Sequence, residues 1–262
     1  MVSVSEMVDF LHTFAPPSLA ESYDNVGLLI GDSEQNIKKI MVTMDVDESV
    51  AEEAAQVGAD MIVSHHPLIF KPLSKIVKQD AVSRTAVSLI KHDIALFAMH
   101  TNFDSVQSGL GDLFLDKVGE TLHRAPMEGN ETNGIGRVAE LQNKTTLSDM
   151  LAHLKQTFSL PSVRYVGNDH KIISKIAVCN GGGAEFVYLA KELGVDCYIS
   201  GDIKYQHARF AFENDIALIE IPHYSAEIIF IEYVAKILSE QFADCVEIVK
   251  ATRNVNVWKQ FE

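Results

Sequence analysis

Short apolar runs rich in β-branched residues alternate with amphipathic stretches along most of this chain, and that alternation restricts its possible folds more than any other feature. Residues 38–45 (KKIMVTMD) read as a strand and 48–58 (ESVAEEAAQVG) as a helix stopped by Gly58. Residues 59–64 read as a strand, 81–93 as a helix and 94–99 as a strand. Strands joined through helices pair in parallel, so the pattern predicts a largely parallel sheet covered by helices. The rhythm fades over about 105–170, where Gly109, Gly111 and Gly119 precede the polar run PMEGNETNG (126–134), and the softest part of the chain is expected there. It returns with a strand at 171–179, a helix at 184–194, strands at 195–200 and 216–221, and a helix over 226–240 with apolar residues at helical spacing.

The two ends of this pattern echo each other. GADMIVS (58–64) recurs as GVDCYIS (194–200), and DIAL (93–96) recurs as DIAL (215–218). Each half runs strand, polar motif, helix, strand, polar motif. We therefore expect an α/β protein of two similar halves with mixed, largely parallel sheets and a metal cleft between them at the strand C-terminal ends. The expected division is 1–125 with 215–262 for the first half and 126–214 for the second.

The chain has 36 acidic residues against 22 Lys and Arg, a formal net charge of −14. A phosphate backbone would meet net repulsion, so nucleic acid is not an expected partner. Three cysteines, Cys179, Cys197 and Cys245, form no CxxC pair and sit in or near apolar runs, where they read as small buried hydrophobes. Near the N-terminus, Val4, Met7, Val8 and Leu11 fit an amphipathic helix and not a signal peptide. No stretch reaches the roughly 18 consecutive apolar residues of a membrane span. A cytoplasmic location without a membrane partner is the expectation.

The polar motifs follow apolar strands, and ligands of open α/β sheets bind beyond the carboxyl ends of strands. His65 and His66 follow Ser64 and precede Pro67. Neighbouring residues of an extended chain point to opposite sides, so two adjacent imidazoles suit two metals better than one. A pair of ordinary loop histidines is the plainer reading. His100 and Asp104 lie beyond the next strand, where Asp104 offers a hard oxygen donor or else caps the following helix. His223 and Glu227, four apart on a helical turn, share one face. Glu227 could bridge two ions about 3.5–4 Å apart, or simply occupy a first helical turn. Three His/acid sets, all at strand ends, are hard to explain by packing.

SHHPLIF (64–70), HTNFD (100–104), SGDIKY (200–205) and HYSAE (223–227), with YDNVGLLIGD (23–32), resemble the Nif-three-like proteins, also labelled GTP cyclohydrolase I type 2 homologues. The likeness spans nearly the whole chain. It implies two divalent metal ions per subunit (zinc, iron, manganese or nickel) held by His65, His66, Asp104, His223 and Glu227. Glu227 would bridge, and His100 would support the ligands. It further implies a two-domain subunit in a toroidal homohexamer. Tyr23 stands where the family often has Trp, and Pro222 where Gly is more usual.

Other polar positions are open. Gly181, Gly182 and Gly183 form a phosphate cradle or, preferably, a plain tight turn. Lys204 and His207 reach a ligand or lie on an exposed helix, and Asp202 could orient an imidazole. The implied activity is metal-dependent hydrolysis of a nucleotide-like substrate such as GTP, or of a phosphoester. The alternative is a non-catalytic metal-binding or metal-delivery protein.

Overall fold

The stretches that the alternation marks as strand or helix take those forms, with most ends shifted by no more than three residues. The computed structural model describes residues 2–259. Within them the chain forms two compact units, one holding the residues up to Phe103 with those from Phe230 onward, the other Asp104–Ile229.

In the first unit, strands Lys39–Thr43, Met61–Ser64 and Ala95–Ala98 pair in parallel and are joined by helices Glu48–Val57 and Ala81–Lys91. Glu247–Lys250 adds a parallel strand at one edge and Gly27–Ile30 an antiparallel one at the other. The two inner strands Met61–Ser64 and Ala95–Ala98 are buried along their whole length, as expected of a sheet covered on both faces. On one face Met41, Ile62 and Leu96 pack against Val50, Ala54, Ala86 and Leu89 of the crossover helices. The N-terminal helix Val4–Phe14, predicted from its apolar spacing, is capped by a reciprocal Ser3–Glu6 pair and buries Val4, Met7 and Leu11.

In the second unit, Ile172–Cys179, Cys197–Ser200 and Ala217–Glu220 are the parallel strands. Three antiparallel strands extend them: Arg164–Val166 on one side, then Arg137–Thr146 and Thr121–Ala125 on the other. Helices Leu110–Val118 and Leu147–Thr157 contribute Phe114, Leu115, Met150 and Leu154 to one core. Helices Val187–Glu192 and Tyr205–Glu213 contribute Val187, Ala190 and Ala211 to another. The architecture is thus mixed α/β with largely parallel sheets at its centre.

The sequence echo is a repeat of hydrogen bonds. Asp60 accepts from the backbone N–H groups of Lys38 and Lys39, and Asp196 from those of Ser174 and Lys175. Lys39 Nζ donates to Val57 O, and Lys175 Nζ to Leu193 O. The carbonyls of Asp60 and Asp196 receive Ala95 N and Ala217 N. Each aspartate therefore ties the start of one strand to the next.

Three expectations are corrected. The stretch 105–170 holds two helices and the ten-residue strand Arg137–Thr146, whose buried apolar residues Ala139 and Leu141 are followed by the polar run 142–146, so the strand lacks an apolar signal over half its length. Cys179 and Cys197 are buried, but Cys245 is exposed beyond the helix Ile229–Phe242. The helix expected over 226–240 is two, His223–Glu227 and Ile229–Phe242.

Candidate metal-binding residues

In the first unit the parallel sheet delivers three imidazoles from its strand ends. His65 N donates to Thr43 O and His66 N to Met44 O, which prolongs the ladder past Ser64. The His65 side chain is fully buried, with the Phe230 ring tilted against it at a centroid distance of 5.1 Å. Its Nδ1 lies 2.8 Å from Met99 O, and a ring nitrogen facing a carbonyl must be the donor. His66 Nδ1 lies 2.7 Å from Asp45 Oδ1 and His100 Nδ1 2.9 Å from Asp24 Oδ1. One ligand atom from each of His65, His66 and His100 falls within 4.8 Å of the others.

Asp24 comes from the YDNVG segment and its side chain is wholly buried. It also accepts from Thr101 N at 3.0 Å and Thr101 Oγ1 at 2.5 Å. Burial alone would raise its pKa, but the hydrogen bonds from His100 and Thr101 outweigh that and hold the carboxyl well below its ordinary range. Asn102 fixes the same turn, its Oδ1 accepting from His100 N and its Nδ2 donating to Ala15 O. Asp24, Asp45 and Asn102 were missed in the sequence, where an isolated acid or amide beside a strand carries no distinguishing pattern. Tyr23 and Phe70, both exposed, line up beside His100 at ring separations of 6.3 Å (Tyr23–Phe70) and 6.2 Å (Phe70–His100).

In the second unit the donors are mostly oxygens. Asp104 lies on the short helix Thr101–Ser105 and Glu227 ends the helix His223–Glu227. Both carboxylates are buried, at 9% and 3% exposure. Asn180 Nδ2 donates to both, to Asp104 Oδ1 at 2.8 Å and Glu227 Oε1 at 3.0 Å. His223 Nε2 is 2.9 Å from Glu227 Oε2, and its Nδ1 is 2.8 Å from Asp202 Oδ2. The i, i+4 spacing thus places His223 and Glu227 side by side on one face.

The glycine run is a tight turn pressed against this pair. Gly181 has φ +59, and a Cβ there would overlap Glu227 Oε1 and approach His223 Nε2 to 3.1 Å. The short helical turn that follows, Gly183–Phe186, carries Glu185 at its start, which would repel a phosphate. Burial, with the Asp104 and Glu227 carboxylates close by, pushes the Cys179 thiol up, so Cys179 is a neutral filler. His207 is buried and used elsewhere: its Nδ1 accepts from Lys204 N, and its Nε2 lies 3.1 Å from Glu185. Lys204 is exposed at that helix start.

Fold and side chains define an α/β protein with His, Asp and Glu groups that could bind a metal. The chain belongs to the Duf34/NIF3 (NGG1p interacting factor 3) family, whose model matches residues 2–256. It is 34% identical over 252 residues to a Clostridium perfringens protein named GTP cyclohydrolase 1 type 2 homolog, covering 95% of each chain. A Clostridium acetobutylicum protein of the same name is 35% identical over 229 residues, 86% of this chain and 85% of that one. Among solved structures, Staphylococcus aureus protein SA1388 aligns with TM-score 0.89 and 30% identity over 99% of both chains. Reduced HcgD from Methanocaldococcus jannaschii aligns with TM-score 0.82 and 28% identity over 96% of this chain and 98% of that one. No helix among the described residues is long and apolar enough to cross a membrane.

Proposed function

We propose that the protein binds two divalent metal ions through His65, His66, Asp104, His223 and Glu227, with Glu227 bridging, and uses them to hydrolyse a nucleotide-like substrate. One observation carries the metal reading. His65, His66 and His223 each have Nδ1 against an oxygen, Met99 O, Asp45 and Asp202 respectively. Metal-ligating histidines are anchored in this way, which fixes the tautomer and makes Nε2 the ligand atom; in His223 that nitrogen already faces Glu227 Oε2 at 2.9 Å, the other donor of the pair. The donor set, imidazole nitrogens with carboxylate oxygens, fits zinc, iron, manganese or nickel. Paired divalent ions supply Lewis acidity and activated water for hydrolysis.

The nucleotide class rests on the relatives' name and on the exposed rings of Tyr23 and Phe70 beside His100, which offer faces on which a purine can stack. A non-catalytic metal-holding role is the second reading. It is favoured by the number of acids, Asp24, Asp45 and Asp202, whose carboxylates serve to hold imidazoles. Assembly as a ring-like homohexamer completes the proposal, and light scattering that gives a monomer at micromolar concentration would remove it.

Metal content tests the centre. Two dications 4 Å apart repel by about four times the ~4 kcal/mol of unit charges at an effective dielectric of ~20. A bridging carboxylate is the group whose loss weakens both ions. Purified protein should carry about two equivalents, Asp104→Asn nearer one, and Glu227→Gln least. A folded Glu227→Gln protein that keeps both metals would make Glu227 a plain helix residue. Nucleotide hydrolysis abolished by a chelator and restored by metal separates the enzyme from the metal-holding reading.

A further inference from the structure

We infer that His65, His66 and His100 form a three-nitrogen cation site within the first unit, which takes one borderline divalent ion before any carboxylate of the second unit is needed. This rests on the metal reading above for His65 and His66, and adds His100 as a direct donor. In the first unit the three parallel strands end side by side at Thr43, Ser64 and Ala98, with Ser64 paired to both neighbours. Paired strands lie about 4.8 Å apart. Residues just past neighbouring ends therefore converge, and the three rings form a near-equilateral triangle with centroid separations of 5.0, 5.2 and 5.5 Å.

The anchoring of His100 is as complete as that of its neighbours. Its Nδ1 donates to Asp24, a wholly buried carboxylate that is itself fixed by Thr101 through two hydrogen bonds. A buried carboxylate is costly unless fully satisfied. With Nδ1 of each ring anchored to an oxygen, Nε2 is the nitrogen each can offer an ion, and one ligand nitrogen from each of the three rings lies within 4.8 Å of the others. Three neutral imidazoles with an open fourth position match zinc, cobalt or iron, and disfavour magnesium and calcium, which require oxygen ligands. When the second ion and the carboxylates join, His65 and His66 divide between the two ions. His100 is therefore the donor that marks the first loading step.

The test uses the full chain and cobalt(II) alone as the probe. Metal-free wild type is titrated while the visible absorption of bound cobalt is followed, alongside His100→Ala, Asp24→Asn and the double variant Asp104→Asn/Glu227→Gln. Melting of each metal-free protein confirms folding. The expected result is that the double variant retains one cobalt with the band of the wild type's first equivalent. His100→Ala should abolish that band, and Asp24→Asn, which keeps the ring but not its anchor, should weaken the first equivalent by about 10–100-fold. Retention of the first equivalent with unchanged spectrum and affinity in His100→Ala would overturn the inference. If the double variant does not fold, the wild-type and His100→Ala titrations decide alone. The dinuclear proposal is judged separately, by whether wild type reaches two equivalents.

Discussion

Replacing Arg137 by methionine should be among the most damaging single changes in the second unit. Its side chain is only 2% exposed, and its three guanidinium nitrogens make five hydrogen bonds. Nε pairs with Asp112 Oδ2 at 2.9 Å, and the two terminal nitrogens reach the carbonyls of Gly134, Gly136, Ser105 and Val106. Methionine fills similar space but removes the ion-pair partner of Asp112, which keeps only the Ser108 N–H, and takes one donor from each of four carbonyls. Removing one partner of a buried ion pair costs about 3–5 kcal/mol. At about 2–4 °C per kcal/mol for a domain of this size, Tm should fall by roughly 6–20 °C. Ser105 and Val106 follow Asp104 directly, so the helix Thr101–Ser105 loses its anchor and metal retention should fall with it. Arg137→Lys keeps a charge but not the fork, and should lie between. Thermal denaturation followed by circular dichroism, with metal analysis, measures both. A Tm within about 2 °C of wild type and full metal content would refute the reasoning, leaving the guanidinium a passive filler.

Other expectations follow from single contacts. Gly181→Ala places a methyl on Glu227 at a positive φ, a strain of about 1–2 kcal/mol, and should lower metal content by more than it lowers stability, as elemental analysis against melting will tell. Asn180→Ala removes the donor shared by Asp104 and Glu227, so metal-free protein should lose about 1–3 kcal/mol in urea denaturation and metal-loaded protein less, since a cation takes over the amide's role. Glu53 is held below its ordinary pKa because hydrogen bonds from Thr252 and Arg253 outweigh the opposing effect of burial. A depressed carboxylate contributes stability that is present at neutral pH and lost as pH falls below its ordinary value of 4.5 toward the folded one. Glu53→Gln should therefore flatten the acid limb of a stability–pH profile, and an unchanged limb would count against the assignment.

What could be read in the sequence was whatever repeats or alternates. The parallel strands announced themselves because they are buried on both faces and so are apolar throughout, as MIVS and ALFA are. Motif residues at their ends stood out because two histidines or a His–Glu pair at helical spacing is a local pattern. Arg137–Thr146 could not be seen, because its far half is exposed and reads as loop. Asp24, Asp45 and Asn180 were equally silent: each acts on a partner distant in sequence, at separations from 21 to 76 residues, and no spacing rule reaches so far. Cys245 misled because an apolar neighbourhood says nothing of a side chain just past a helix end.

The repeat also accounts for how the donors are shared out. In the first unit the residues two beyond the ends of the three parallel strands are Asp45, His66 and His100: two of the three imidazoles, and the carboxylate that anchors one of them. In the second unit the corresponding residues are Gly181, Asp202 and Pro222, and only Asp202 contributes a polar side chain. One residue beyond the middle strand, His65 has its counterpart in Gly201. A Cβ at Gly201 would press on Gly181 O and Ile221 O, so that corner is closed by backbone and has no room for an imidazole. Gly181 in turn leaves the space that Glu227 fills. The same βαβαβ scaffold therefore gives a nitrogen-rich strand end in one unit and a carboxylate-rich one in the other. An exchange of chemistry follows: Gly181→Asp, which mimics Asp45, should not create a second imidazole anchor. It should displace Glu227 and cut metal content below that of Gly181→Ala. If Gly181→Asp instead holds wild-type metal, the carboxylate at 181 has replaced Glu227, and the identity of the donor matters less than its place at the strand end.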